Sequence, residues 1–479
     1  MSEQGGIRRL LGGFAALGAA TLVAQVIGFL VLAIAARRLG PGPIGSFSFA
    51  LSLVGYFSIP ANFGITVLGT RDLARDPSRA KTLIGEVTAI QGALVLVPYV
   101  LVVALAPLLG ADELSTDLIP VVALTFVLEA ASLQWVLYGR QRFTVLALAR
   151  LAGSIVTLVW VLAFVNEGGG DAGARALAWA TVAGVAAFAL VTLAVVVRSE
   201  GRPELVLQRM RLVRRFIAGV PFGLAAVMIS IYYSIDSVML GYLRSTEEVG
   251  QYAVAYKLPL AIIAIGALWA SVLFPHASAL APRDPDLLRR QLGFFSSVAF
   301  VGAAPLAVGA ALVGDDLMPE LFGPEFEPAG TPFIVLSWAA AIVVFTISSG
   351  TVALASGEDR HYVYAVTAGA GLNLAANFAV IPLFGMTGAA AATVAAEVVV
   401  FAVVWRRLLE RLGPVPLEWS RIARTLAATA VMTVVVLAIG DALSATARVL
   451  VGVAVYSVAA VALGAVHRGE IRTALRPAG

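Results

Sequence analysis

Long apolar runs follow one another through this chain with only short charged clusters between them, and that pattern admits one environment. Runs bounded by charge, Gly or Pro fall at 10–36, 44–69, 83–109, 118–138, 143–165, 175–197, 215–240, 250–279, 290–314, 331–356, 361–381, 387–409, 422–440 and 446–466. About 20 apolar residues cross the hydrocarbon core of a bilayer, so each run is long enough to span it. Of the 479 residues 60% are hydrophobic and 13% charged, against about 25% charged in a soluble globular protein. No polar stretch is long enough to fold a water-soluble catalytic domain. The expected fold class is an all-α integral membrane protein with 14 transmembrane helices.

Arg8 and Arg9 ahead of the first run, with Ala33-Ile34-Ala35 inside it, mimic a signal peptide. A signal h-region has only about 7–15 residues, so the run 10–36 is expected to be the first transmembrane helix. With the N-terminus inside, fourteen spans place 25 Lys and Arg on the inner side and five on the outer: Arg37, Arg38, Arg175, Arg244 and Arg448. Acidic residues divide 12 inside to 13 outside. Inner loops are the ones enriched in Lys and Arg, and one miscounted span would invert every later loop. Both termini are therefore expected in the cytoplasm. The net charge of +4 reflects this orientation signal, and nucleic acid is not an expected partner.

The chain has no cysteine, and His276, His361 and His467 lie far apart. Disulfides, thiolate nucleophiles and thiolate metal sites are excluded, and neither a cofactor nor a bound metal is expected. Walker, HExxH, dinucleotide and Ser-His-Asp patterns are absent from the sequence. Energy, if used, would then come from an ion gradient, from a substrate gradient or from a partner.

An internal repeat organises the runs. Ile44-Gly45-Ser46-Phe47-Ser48-Phe49-Ala50 resembles Val249-Gly250-Gln251-Tyr252-Ala253-Val254-Ala255, 205 residues later. Gly139 and Arg142 match Gly357 and Arg360 at an offset of 218. The expected organisation is an N-terminal lobe of six spans at 1–197, a basic linker at 198–214, a second lobe of six at 215–409, and two further spans with a tail at 410–479. A parallel repeat of this kind is a transporter architecture.

Ionisable side chains deep in a bilayer are costly and mark function by default. Glu129 lies about nine residues, roughly 14 Å, from the inner end of its span, and Arg150 seven residues, roughly 10 Å, from that of the next. The two match in depth, either as a pair locking two helices or as a cationic cavity group tuned by a carboxylate. Asp236 and Lys257 match similarly near the outer side, and an ion pair there would be a structural tie or an outer gate. Glu397 sits near the middle of its span, at the depth of Asn373 and Asn377, which are either interhelical hydrogen-bonding groups or the polar lining of a coupling site. Glu86 and Arg424, near inner helix ends, can snorkel to the interface. The acidic loop with Asp315, Asp316, Glu320, Glu325 and Glu327 is expected to be solvated rather than to hold a calcium ion.

Three blocks carry a family resemblance. Ala35-Ala36-Arg37-Arg38-Leu39-Gly40-Pro41 through Ile44-Gly45, then Asn62-Phe63-Gly64-Ile65 and Gly69-Thr70-Arg71-Asp72-Leu73-Ala74-Arg75, resemble the start of Wzx-like oligosaccharide and polysaccharide flippases. These belong to the multidrug/oligosaccharidyl-lipid/polysaccharide exporter superfamily. Asp236-Ser237-Val238-Met239-Leu240-Gly241 with Glu248-Val249-Gly250-Gln251-Tyr252 is similar, as is Asn373, Asn377, Ile381-Pro382, Gly385 and Gly388-Ala389-Ala390-Ala391-Ala392-Thr393. The resemblance implies a MATE-like fold of two pseudo-symmetric six-helix lobes in a V, with two helices appended. It also implies a flippase for undecaprenyl-pyrophosphate-linked sugars working by alternating access, with the bilayer and glycan-assembly enzymes as partners. Such a protein needs a wet, partly cationic cavity, for which Arg150, Glu129 and Gln25 are the candidates, and an apolar slot for the polyprenyl tail. The related lipid II flippases usually place arginines on the first helix, where this chain has Gln25 and no charge before Arg37. An ion-coupled drug exporter of the superfamily is the alternative transport class. A membrane glycan polymerase or ligase is the enzymatic one, disfavoured because the longest outer loop, about 314–330, has no base.

Overall fold

The computed structural model of the chain describes the backbone of residues 3–201, 204 and 208–466, and their side chains except at 3–15, 61–62, 209, 221–234, 265, 267–269, 271, 272 and 275. The C-terminal tail from 467, with His467, and parts of the basic linker lie outside the described residues. Fifteen α-helices follow in order among those described: α1 Glu3–Leu39, α2 Pro41–Asn62, α3 Ile65–Arg75, α4 Ala80–Leu109, α5 Glu113–Ala131, α6 Gln134–Gly139, α7 Phe143–Phe164 and α8 Gly170–Glu200. Then come α9 Arg209–Leu243, α10 Thr246–Leu280, α11 Pro285–Phe322, α12 Gly330–Ala355, α13 Asp359–Leu412, α14 Trp419–Ile439 and α15 Ala445–Ala462. Among the described residues eleven helices are long and apolar enough to cross a membrane, with α13 counted once. In an apolar solvent every backbone N–H and C=O must pair within its own segment, which is why the apolar runs become helices.

Four runs depart from the simple picture. The run 44–69 is not one helix, because the backbone turns left-handed at Phe63 (φ 23) and Gly64 (φ 72) and restarts as the short α3. Glycine takes that conformation without a Cβ penalty. The run 118–138 likewise breaks at Leu133 (φ 51), separating α5 from α6. Conversely, 361–381 and 387–409 form one continuous helical stretch of 54 residues, sharply kinked at Gly385 (φ 55, ψ −138). At 1.5 Å per residue it would reach about 80 Å if straight, far beyond a hydrocarbon core of about 30 Å.

The chain divides into two compact units, Met1–Gly250 and Gln251–Gly479. In the first, α1 packs on α7, α7 on α8, α2 and α4 on α5, α5 on α8, and α9 on α2. In the second, α12 lies between α11 and α13, and α14 pairs with α15 against α11.

The two glycines matched by the repeat, Gly45 and Gly250, meet inside the first unit. A methyl group built on Gly45 would fall inside the van der Waals shell of the Thr246 carbonyl, and one on Gly250 inside that of the Pro41 carbonyl. The contacts are reciprocal, since Pro41 and Thr246 each precede their glycine by four residues and stand 205 apart. Glycines let two helix backbones approach this closely. Asp112 secures the same junction: it accepts from Ser46 Oγ at 2.6 Å and Thr246 Oγ1 at 2.7 Å, and from the Ser115 N–H at 2.6 Å as the N-cap of α5. Burial pushes the Asp112 carboxyl up, but the bonds from Ser46, Ser115 and Thr246 outweigh it and leave the group below its usual range.

Glu358, in the turn between α12 and α13, plays the corresponding part in the second unit. Only 4% exposed, it accepts from Arg407 Nε at 2.8 Å, Arg411 Nη1 at 2.8 Å and His361 Nδ1 at 2.9 Å, tying the start of α13 to its end. The Arg407 hydrogen bond, against the cost of burial, holds its carboxyl below the usual range, with the charges of Arg407, Arg411 and His361 adding to the effect. A depressed carboxylate contributes stability above its unfolded pKa of about 4.3 and loses it as pH falls through the lower folded value. Glu358→Gln should therefore lower the unfolding temperature at pH 7 and at pH 5, with the difference shrinking below about pH 4. The size should be roughly 1 kcal/mol, because both guanidiniums reach water. Thermal unfolding of detergent-solubilised protein at the three pH values checks this, and a difference that grows toward low pH would contradict it.

Candidate functional site

Arg150 and Glu129 come together. They line one cavity of about 300 Å³ in the first unit, within electrostatic reach of each other. Arg150 projects from α7 and donates from Nη1 to Thr21 Oγ1 of α1 at 3.3 Å. Glu129, near the end of α5, and Gln134, after the break at Leu133, line this cavity and a second of about 260 Å³. Of these two, only Gln134 follows the break in α5–α6. α7 and α8 close the far wall, and they approach at Gly153, where a Cβ would press on the Gly184 carbonyl.

Three hydroxyls complete the wall: Ser154, Thr157 and Thr181. Each donates to a backbone carbonyl of its own helix, at 3.0 Å to Arg150, 3.1 Å to Gly153 and 3.1 Å to Leu177 respectively. Their donors are used, so what remains toward the cavity is lone pairs. The cavity offers a guanidinium to an anion and acceptors to hydroxyl donors. Sequence reasoning found the two charges and missed the hydroxyls, although Ser154 and Thr157 follow Arg150 by four and seven residues, on one helix face. Gln25 is exposed on α1 and does not belong to the wall; Thr21, one turn earlier, makes the contact instead.

The second candidate group is buried. Asn373 and Asn377 precede the Gly385 kink and Glu397 follows it, with 2%, 0% and 4% of their surfaces exposed. Asn377 Nδ2 donates to Asn373 Oδ1 at 3.1 Å, a bond within one helix rather than between two. Tyr362 lies within electrostatic reach of Glu397. Of the third pair, Asp236 is buried on α9 in the first unit, with Tyr56 of α2 in electrostatic reach. Lys257 is half-buried on α10 in the second unit.

Glu86 does not snorkel. It is 3% exposed and accepts from Arg215 Nε of α9 at 2.9 Å, because the basic segment ahead of span seven is already helical and brings its arginine over α4. Arg424 reaches the Gly464 carbonyl at 3.2 Å. The acidic group expected to be a solvated loop begins inside α11, where Asp316 pairs with Arg448 at 2.5 Å and Glu320 accepts from the Thr446 N–H at 3.2 Å. The second unit also holds an apolar cavity of about 510 Å³ between α10, α11, α14 and α15, with Arg448 in its wall.

These features define an all-helical, multi-pass membrane protein. The same fold is found in lipid II flippase MurJ in an inward closed conformation, with a TM-score of 0.74 at 13% identity over 93% of this chain and 97% of that one. It recurs in an inward-facing multidrug resistance MATE family transporter of the MOP superfamily, with a TM-score of 0.64 at 15% identity over 82% of this chain and 98% of that one. The polysaccharide biosynthesis protein family matches residues 10–281, more than half of the chain, and the chain belongs to that family. Probable flippase AglR of Haloferax volcanii is 33% identical over 172 residues, which cover 34% of this chain and 35% of that protein. The match thus spans about a third of that relative's length.

Proposed function

We propose that the protein is a flippase carrying polyprenyl-pyrophosphate-linked oligosaccharide or polysaccharide repeat units across the cytoplasmic membrane by alternating access. The observation that carries this is the Arg150 cavity, a cation among acceptor lone pairs inside an apolar bundle, in a chain of the polysaccharide biosynthesis family. A flippase breaks no covalent bond, so it needs binding groups rather than a catalytic constellation. Arg150 would hold the pyrophosphate with Glu129 tuning it, and the hydroxyls of Ser154, Thr157 and Thr181 would accept from sugar hydroxyls. Enzymes that assemble the glycan would deliver the substrate on the inner side.

Fourteen spans follow if α13 counts twice and α9 and α10 each cross the membrane, which puts both termini in the cytoplasm by the charge bias. The reciprocal packing of Gly45 and Gly250 supports lobes at 1–197 and 215–409, joined by the linker 198–214 and followed by two helices at 410–479.

The direct test uses the purified protein in proteoliposomes containing a fluorescent polyprenyl-diphosphate oligosaccharide. Transfer between leaflets well above that of protein-free vesicles is expected. No transfer, with export of a cationic drug dye instead, would make the protein a multidrug exporter. Coupling is assigned to Glu397 with Asn373 and Asn377, a buried carboxyl and two buried amides on either side of the kink in α13. Glu397→Gln keeps the shape and removes the titration, so it should flatten the pH dependence of transfer; a profile like that of the wild type would sink this assignment.

A further inference from the structure

Where α3, α4 and α9 meet in the first unit, a cavity of about 380 Å³ is walled by five arginines and only two carboxylates. Arg215 is engaged with Glu86 and, through Nη1, with Asp72 at 3.2 Å, while Arg71 donates to Asp72 at 3.1 Å. Arg79, Arg211 and Arg214 supply the surplus positive charge. Guanidinium groups match phosphate oxygens in a forked, charge-assisted geometry, so the pocket is suited to a phosphate.

A second feature of the same turns decides what carries that phosphate. Met210, Val213 and Ile217, at i, i+3 and i+7 of α9, are 65%, 43% and 61% exposed. They form an apolar strip beside Arg211 and Arg214. A soluble anion would use only the arginines, whereas an amphiphile uses both surfaces. The strip also stands at the start of the apolar run 215–240, at interfacial depth, on the side that the charge bias assigns to the cytoplasm. Basic residues at that depth attract the anionic lipids of the inner leaflet.

We propose that this pocket binds the phosphate headgroup of an anionic phospholipid from the cytoplasmic leaflet, with its acyl chains along Met210, Val213 and Ile217. The lipid would join α3, the turn at Arg79 and the first turns of α9. The inference stands whatever molecule the protein transports.

A chain without native cysteine allows a protection test. Ala218 lines the pocket and is exposed, so Ala218→Cys in the full-length, detergent-purified protein reports occupancy through its maleimide labelling rate. Dioctanoyl phosphatidylglycerol should slow labelling saturably and dioctanoyl phosphatidylcholine should not. Combining Arg211→Gln with Arg214→Gln should raise the half-protecting concentration roughly thirtyfold, about 2 kcal/mol for two interfacial arginines. The triple change Met210→Ser, Val213→Ser and Ile217→Ser should weaken protection by the lipid and leave that by inorganic phosphate alone. If the double arginine variant fails to fold, Arg79→Gln on the exposed turn should give a shift of roughly fivefold. Equal protection by both phospholipids, or unchanged protection by phosphatidylglycerol in the arginine variants, overturns the proposal. Inorganic phosphate as effective as the lipid would assign a soluble anion, and a polyprenyl diphosphate that protects where phosphatidylglycerol does not would assign the transported class; either result also overturns it.

Discussion

Arg150→Ala should stop glycan export while the protein still inserts in the membrane. The guanidinium faces a cavity rather than a close-packed wall, and its one described hydrogen bond, to Thr21, is a long one at 3.3 Å. Its loss should leave the helices standing, because the α1–α7–α8 packing rests on apolar contacts and on the close approach at Gly153. Transport is another matter. Removing the cation from a desolvated charge contact with a pyrophosphate costs about 2–5 kcal/mol, and the lower figure already reduces binding roughly thirtyfold. Arg150→Lys keeps the charge without the fork and should fall between the wild type and the alanine variant. Export is read by complementation of a strain lacking its own flippase, and insertion by immunoblotting of membranes. Normal export in Arg150→Ala removes the role in binding. Disappearance of the protein from the membrane would make Arg150 a structural partner of Glu129.

The contrast between what the sequence shows and what it hides follows from the solvent. Apolar runs specify helices because lipid leaves the backbone no other partner, so the all-helical class and the order of the long elements were legible, while eleven helices among the described residues, rather than fourteen, are long and apolar enough to cross a membrane. The breaks were not legible. Phe63 and Leu133 take positive φ without being glycine, and nothing in the apolar pattern announces a left-handed residue inside a run. Only Gly64 and Gly385 carry a local signal, and glycine is too common here, with 46 residues, for one to stand out. The site was half legible for a related reason. A charge inside an apolar run is conspicuous, which is why Arg150 and Glu129 were found, whereas Ser154, Thr157 and Thr181 are unremarkable in a helix that can absorb their donors. Depth matching worked for Glu129 and Arg150, whose helices lie in one unit. It failed to foresee that Glu86 would be buried, because Arg215 is distant in sequence and arrives through a helical extension of the basic linker.

Gly45→Ala should destabilise the protein more than any other single methyl added to α2. The Cβ would collide with the carbonyl of Thr246, a backbone atom that cannot swing aside like a side chain. Overpacking of this kind costs about 1–3 kcal/mol even where the neighbours can shift. Here the shift would also pull on Asp112, which holds Ser46, the residue after Gly45, and Thr246 together. Gly250→Ala meets the Pro41 carbonyl in the reciprocal way and should cost a similar amount. The two effects should not add, because once the helices have separated for one methyl the second finds room. Gly42 and Gly55 provide the control on the same helix, since a Cβ at either has nothing within 4 Å. Alanine there should be neutral or stabilising by up to about 1 kcal/mol, the difference in helix propensity. Thermal unfolding of the four single variants and of the Gly45→Ala, Gly250→Ala double variant checks the whole pattern. If Gly45→Ala melts with Gly42→Ala, the helix starts do not pack as closely as the structure places them, and the support that this crossing lends to a duplicated six-helix lobe disappears with it.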